Sequence, residues 1–231
     1  MLKVHLLHLQ KVPIFQQLQI EEALLRADHR NWCIINAQAS PAVVLGISGK
    51  KEELLNEEKI ASLQVPLVRR FSGGGTVVID ESTCFATFIF NTGDCSFPAF
   101  PQQIMEWTDQ FYSPIFPFKL HENDYVIGDR KCGGNAQYIT KDRWLHHSSF
   151  LWDYSPHLMD CLLLPKRVPK YRLQRSHSDF LCTLKEYCSS PEDFQQKIFS
   201  QLRKQYTLLS VQIEEVLDIL GQPHRKSTHL L

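Results

Sequence analysis

Residues 65–80 read Val65-Pro66-Leu67-Val68-Arg69-Arg70-Phe71-Ser72-Gly73-Gly74-Gly75-Thr76-Val77-Val78-Ile79-Asp80. Val65 to Arg70 has the composition of a strand, Ser72 to Gly75 of a turn, and Thr76 to Ile79 of a second strand rich in β-branched side chains. Strand, glycine turn and strand together predict a hairpin. Adjacent glycines weaken a sheet, so they answer either to a demanding turn or to a ligand pressed against the backbone. The turn alone is an ordinary use of glycine. Arg69 and Arg70 just ahead of it favour the ligand, because free N–H groups in a glycine loop beside a guanidinium cradle phosphate or carboxylate. No GxGxxG opens a helix and no GxxxxGK[ST] is present, which argues against a Rossmann dehydrogenase or a P-loop enzyme.

Working outward toward the N-terminus, the pattern predicts a strand near Leu2 to Leu9. An amphipathic helix over residues 14–27 follows, carrying Ile14, Phe15, Leu18 and Leu25, then a buried strand from Ala42 to Leu45. Lys51 to Leu63 reads as one helix with Leu54, Leu55, Ile60 and Leu63 on its apolar face. Toward the C-terminus, Thr83 to Phe90 is a strand expected to pair nearby, Thr92 to Gln103 a loop, and Gln102 to Tyr112 a helix. A second hairpin runs from Asp124 to Ile127, turns at Gly128-Asp129 and resumes at Arg130. Leu145 to Trp152 is a further strand, and Lys166 to His177 a basic loop. Ser190-Pro191-Glu192-Asp193 starts a helix whose buried face carries Phe194, Ile198 and Leu202. Hairpins with helices grouped between them predict an α+β fold, a mixed and largely antiparallel sheet flanked by helices. Residues 1–231 are expected to form a single domain, with 165–231 its basic loop and C-terminal helical part.

The balance of 25 basic and 25 acidic residues leaves no one-signed field, so neither a general nucleic-acid binder nor a membrane-surface protein is expected. Seven cysteines without a CxxC pair suit a reducing compartment and predict no structural metal site. The opening MLKVHLLHLQKVP places Lys3, His5 and His8 among its apolar residues, unlike a signal peptide or a spanning helix, and a cytoplasmic location is expected.

Gly128-Asp129-Arg130-Lys131-Cys132-Gly133-Gly134-Asn135-Ala136-Gln137 is the second segment of chemical interest. Strand alternation predicts Lys131 and Gly133 on one face, and Arg130 and Cys132 on the other. A lysine beside side-chain-free backbone can neutralise charge growing on a phosphoryl or carbonyl oxygen. An exposed turn lysine is the plain alternative. His146 and His147 offer one inward imidazole, and Asn123-Asp124 an amide and a carboxylate suited to a magnesium-bound phosphate; a core histidine and a turn cap explain them equally.

In order, EEALLR, VVLG, RRFSGGGTVVID, END, GDRKCGGNAQ and LHHSSFLW resemble the catalytic domain of lipoate-protein ligases over roughly the first 155 residues. The resemblance implies the fold shared by biotin ligases and class II aminoacyl-tRNA synthetases. It implies that lipoate, or octanoate, reacts with ATP and Mg2+ to give an acyl-adenylate, which an acceptor lysine then attacks. It assigns the acyl-adenylate to Arg70, Ser72, Gly73, Gly74, Gly75, Thr76 and Val77, with Lys131 on the carbonyl and phosphate oxygens. Asn123, Asp124 and Asp80 stand at the ATP and magnesium end, and Gly133, Gly134, Asn135, Ala136 and His147 along the acyl pocket. Beyond the stretch that the resemblance covers, the basic loop with Arg172 and Arg175 either closes over the nucleotide or receives an acidic acceptor domain, or is a plain solvated loop. The implied partners are lipoyl-acceptor domains of 2-oxoacid dehydrogenase complexes or a glycine-cleavage H-type protein, and a separate accessory subunit in place of the accessory domain that many bacterial members carry. Glu81-Ser82 and Asn135 depart from the family pattern.

Two other functions compete. A lipoyl or octanoyl transferase would use preformed acyl-AMP or a carrier donor, in one version through a cysteine nucleophile such as Cys132 or Cys84. A noncatalytic lipoyl-binding protein would keep the fold without the reaction. Biotin ligation is disfavoured by the lack of a GRGRxGR-type loop.

Overall fold

The structure, a computed structural model, describes residues 1–164 and 168–231. In chain order its elements are β1 (Lys3–His8), α1 (Ile14–Ala27), β2 (Trp32–Ala37), β3 (Ala42–Leu45), α2 (Lys51–Leu54), α3 (Glu57–Leu63), β4 (Leu67–Arg69), β5 (Val77–Ile79), β6 (Thr83–Asn91), α4 (Pro101–Tyr112), β7 (Lys119–His121), β8 (Asp124–Ile127), β9 (Arg130–Ile139), β10 (Arg143–Leu151), α5 (Pro156–Met159), α6 (His177–Phe180), α7 (Pro191–Gln205), β11 (Thr207–Val211), α8 (Ile213–Leu220) and β12 (His229–Leu230).

The larger sheet has the order β11-β1-β2-β6-β10-β9-β8-β7 and the smaller β12-β4-β3-β5. In the larger sheet β11, β1 and β2 are parallel and every later pairing is antiparallel. The fold is α+β, with a mixed, largely antiparallel sheet flanked by helices. Alternation along the central strands sorts side chains to two cores. Cys33, Ile35, Phe88 and Phe150 meet α4 and α7 on one face, while Ile34, Ile89 and Leu145 meet α1 and α8 on the other. The small sheet packs Val44, Val68 and Ile79 against Ile14 and Leu18 of α1.

Three expectations differ from the structure, and one strand was not expected. Residues 65–79 are not a hairpin: β3 lies between β4 and β5, parallel to the first and antiparallel to the second. The link over residues 70–76 is too long for a tight turn and instead crosses the end of β3, whose four residues are all buried. The helix expected over 51–63 is two, because Leu55 bridges to Leu162 and the Asn56 side chain caps α3 by accepting from Lys59 N–H. β6 pairs with the distant β2 and β10 rather than nearby. β2 was not expected, since its wholly buried run lacks the alternation that marks a half-exposed strand. The helices at 14–27 and 191–205 and the β8–β9 hairpin form as expected. Of the basic loop, Lys166 and Arg167 lie outside the described residues.

Candidate active site

The two arginines before the glycines shape two adjoining loops. Arg69 Nη1 donates to the carbonyls of Gly46, Ile47 and Gly49, at 3.2, 3.2 and 2.7 Å. Arg70, 4% exposed, donates from Nε and Nη2 to the Gly73 carbonyl and from Nη2 to that of Gly75, at 3.1, 2.8 and 2.8 Å. A buried cation thus collects the loop's carbonyl oxygens, and Gly74 accepts the resulting φ of +101°. Burial lowers the Arg70 guanidinium to about 10, against the field of Glu21, so it remains a cation at neutral pH.

Lys131 faces the loop from β9. A bulge between β8 and β9 opposes Tyr125 to Gly133 and Val126 to Lys131, leaving Cys132 as the extra residue. The bulge overturns the predicted pairing of faces. A Cβ on Gly133 would meet Phe150 at 2.6 Å in the core, whereas one on Gly134 would meet Lys131 Nζ at 3.2 Å. Gly134, not Gly133, shares the lysine's face. Lys131 Nζ bonds Asp124 Oδ1 at 2.7 Å, and the other Asp124 oxygen accepts from the Tyr171 hydroxyl at 2.9 Å.

Two adjoining cavities, about 260 and about 330 Å³, meet at Gly75, Thr76, Val77, Asp124, Lys131 and Gly134. The first continues between apolar walls that include Val78, Leu151, Met159, Leu162 and Phe180, with Arg172 and His177 beside them. Arg172 Nη2 and Thr76 Oγ1 are buried there without a hydrogen-bond partner among the described residues. Burial, then Arg172 and Lys131, lower the His177 imidazole from its ordinary range. The second cavity runs past Ala136 and Arg70 to Ile14, Leu18, Val44, Ile79 and His147.

His147 Nδ1 lies 2.9 and 3.1 Å from the two oxygens of Glu21, a carboxylate with no solvent exposure that also accepts from Gln17 and Thr87. The carboxylate requires the proton on Nδ1, which turns the ring's other edge toward the cavity. Glu21 escapes sequence reasoning because EEALLR marks a helix without telling that both glutamates are buried or that Glu21 is the one that meets His147. Tyr171 was equally hidden, inside a basic loop whose folding-back is a tertiary fact.

The remaining predicted residues divide. Asn123, Asn135 and Ala136 line the second cavity, Gly133 and Arg172 the first. Ser72 and Gly73 line neither; their carbonyls bind Ile47 N–H and Arg70. Asp80 also lies outside: it accepts from Ser82 N–H, the Thr83 hydroxyl and Ser155 N–H, and so closes the turn at Glu81-Ser82, where the sequence departs from the family pattern. Arg175 is spent on Asp129 and on backbone carbonyls of Asp129 and Tyr171. Cys84 and Cys132 line neither cavity, and burial raises both thiols.

The model of the lipoyl protein ligase A/B catalytic domain matches residues 13–203. The chain belongs to that family. It is 26% identical to a Plasmodium falciparum protein named inactive lipoate–protein ligase 2, across 87% of this chain and 69% of that one. It spans only 30 to 39% of the length of three further curated relatives. Among solved structures, the bi-partite lipoate protein ligase of Thermoplasma acidophilum, solved with its E2 lipoyl domain, superposes with a TM-score of 0.76 at 14% identity, covering 95% of this chain and 91% of that one. A lipoate-protein ligase A bound with ATP superposes at 0.73 and 15% identity, covering 95% and 92%. These two likenesses establish the family fold. No helix of the described residues is long and apolar enough to cross a membrane.

Proposed function

We propose that this lipoyl protein ligase domain forms a mixed anhydride between lipoate, or octanoate, and AMP, and passes the acyl group to a lysine of a lipoyl-acceptor domain. The supporting observation is the position of Lys131 at the junction of two cavities. The acyl chain occupies the cavity that ends at His147, and the nucleotide the one beside Arg172. Their junction then brings the carboxyl and α-phosphate oxygens to Lys131, with Thr76 Oγ1 and Arg172 Nη2 as further donors held in place before the ligand arrives. An ammonium there neutralises charge as the carboxylate attacks the α-phosphorus of ATP and pyrophosphate leaves, and again as the acceptor lysine amine attacks the anhydride carbonyl and AMP leaves, the amine giving up its proton.

Magnesium would travel with ATP as part of the substrate pair. Asp124 is the carboxylate on these cavity walls, and the ion ordinarily takes one or two protein carboxylates with phosphate oxygens, so Asp124 would hold it. Its Lys131 and Tyr171 partners would then have to be shared. No enzyme nucleophile is needed, in keeping with Cys84 and Cys132 lining neither cavity.

The similarity to a protein named inactive, and to one described as bi-partite, favours a second reading: transfer from supplied acyl-AMP without adenylation by this chain alone. Lipoate-dependent ATP–pyrophosphate exchange by the purified chain separates the two. Exchange that falls at least a hundredfold in Lys131→Ala supports the self-sufficient ligase. No exchange, with transfer from lipoyl-AMP to a lipoyl domain, supports the second reading, and neither activity refutes both.

A further inference from the structure

A third cavity, about 320 Å³, opens on the surface and is lined by Arg130, Asp153, Tyr154, Lys185 and Cys182, among others. The ligase reading makes no use of it. Cys182 lies in its wall at 9% exposure, in the segment that follows α6. Directly behind it is Cys132, the extra residue of the β9 bulge, which has no exposure. The backbone sets the two side by side: Leu181 bridges in parallel to Lys131, and Cys182 N–H donates to the Lys131 carbonyl at 2.8 Å. Neighbouring residues of such a pairing stand at about 5 Å between Cα atoms, inside the range a disulfide spans. Each thiol also lies 3.3 Å from a backbone carbonyl, Cys132 from that of Tyr125 and Cys182 from that of Arg130, so the single Cys132 proton can turn either to the Tyr125 carbonyl or to the Cys182 sulfur.

We propose that Cys182 and Cys132 form a peroxide-reactive modification site, in which Cys182 meets the oxidant in the surface cavity and Cys132 resolves it as an intramolecular disulfide. Hydrogen bonding from Cys132 lowers the Cys182 thiol to about 7, with Arg130 assisting, while burial raises Cys132; attacker and resolver are thereby distinguished. The Cys182 thiolate attacks one peroxide oxygen, the O–O bond breaks, and hydroxide leaves to become water, giving a sulfenic acid. Cys132 sulfur then attacks Cys182 sulfur, the S–O bond breaks, and the departing hydroxide takes the Cys132 proton as a second water. Two thiols are oxidised and one hydrogen peroxide is reduced. The new bond closes behind the backbone of Lys131.

The test uses the full chain, reduced, desalted, treated with hydrogen peroxide, alkylated and mapped by peptide mass spectrometry. A dithiothreitol-reversible Cys132–Cys182 peptide is expected as the main product. In the untreated protein at pH 7, Cys182 should be alkylated at least about tenfold faster than the other six cysteines, the more exposed Cys95 included, because its thiol is lowered while burial raises that of Cys95. Cys132→Ser should instead drive Cys182 to sulfinic acid. The proposal is overturned if both cysteines stay reduced while another is oxidised, or if Cys182 in the unsubstituted chain reaches sulfinic acid without the linked peptide. Neither readout depends on the ligase reaction.

Discussion

A methyl group at Gly46 would sit 2.2 Å from the Gly74 carbonyl oxygen, and one at Gly133 would sit 2.6 Å from Phe150 Cδ1, whereas the Cβ positions of Gly73 and Gly75 meet nothing among the described residues within 4 Å. These glycines therefore do different work. Gly46→Ala forces two backbones apart and Gly133→Ala pushes into a packed aromatic core, so each should cost about 1–3 kcal/mol in chemical denaturation. Gly75→Ala has room and should leave the midpoint unchanged. If acyl-AMP presses on that backbone, its affinity should nevertheless fall at least tenfold by calorimetry, and unchanged affinity would leave Gly75 a turn residue only. The motif legible in the sequence thus mixes cavity wall, at Gly74 and Gly75, with loop architecture. Lys131 and Asp124 were legible because a lysine among glycines and paired polar residues at a hairpin mouth carry a local signal, and His147 only through the likeness of LHHSSFLW to the family pattern. Glu21 and Tyr171 were not, since burial in one case and loop docking in the other arise from distant segments.

Element by element, the same division between local and distant information recurs. Apolar spacing identifies α1 and α7, and the Gly128-Asp129 turn identifies the β8–β9 hairpin. The insertion of β3 between β4 and β5 is invisible in spacing, because a four-residue apolar strand fits an edge or a centre equally well until its neighbours are known. The short β12 is a similar case: it pairs with β4 because the preceding residues are tied to α1. Glu22, 1% exposed, accepts from Ser227 N–H with both oxygens at 3.0 Å, from Thr228 N–H at 2.9 Å and from Arg26 Nε at 3.1 Å. Hydrogen bonds to a buried carboxylate contribute about 1.5–3 kcal/mol each, against the cost of its desolvation. Glu22→Ala should therefore abolish amide-exchange protection at residues 227–230 while the α1 amides stay protected. Protection that persists at those residues would mean that β12–β4 pairing alone retains the segment.

For the molecule as a whole, buried histidines set how stability depends on pH. His146 has no exposure; its Nε2 lies 3.0 Å from the Tyr125 hydroxyl, which itself donates to Thr108, and its Nδ1 lies 3.0 Å from the Gln137 amide nitrogen. A neutral ring with the proton on Nε2 satisfies both contacts, and a second proton on Nδ1 would face a donor. Burial, with His147 adding to it, accordingly pushes His146 down to about 3, and burial also lowers His5 and His177. Unfolded histidine takes up its proton near pH 6.5, so between there and the folded value the unfolded chain binds more protons. Stability is full above about pH 6.5 and declines as pH falls, by about 1.4 kcal/mol per pH unit for each proton bound on unfolding. The lowered carboxyls of Asp28, Asp94 and Asp193 act in the same direction, but below their unfolded values near 4. The interval from pH 6.5 to 4.5 therefore isolates the histidines. His146→Gln should be less stable at pH 7.5, having lost a satisfied ring, yet its urea-unfolding free energy should fall less steeply across that interval, by about one proton's worth of slope. Equal slopes in the two proteins would show that His146 already carries a second proton in the fold, and the hydrogen-bond pattern around Tyr125 and Gln137 would have to reverse.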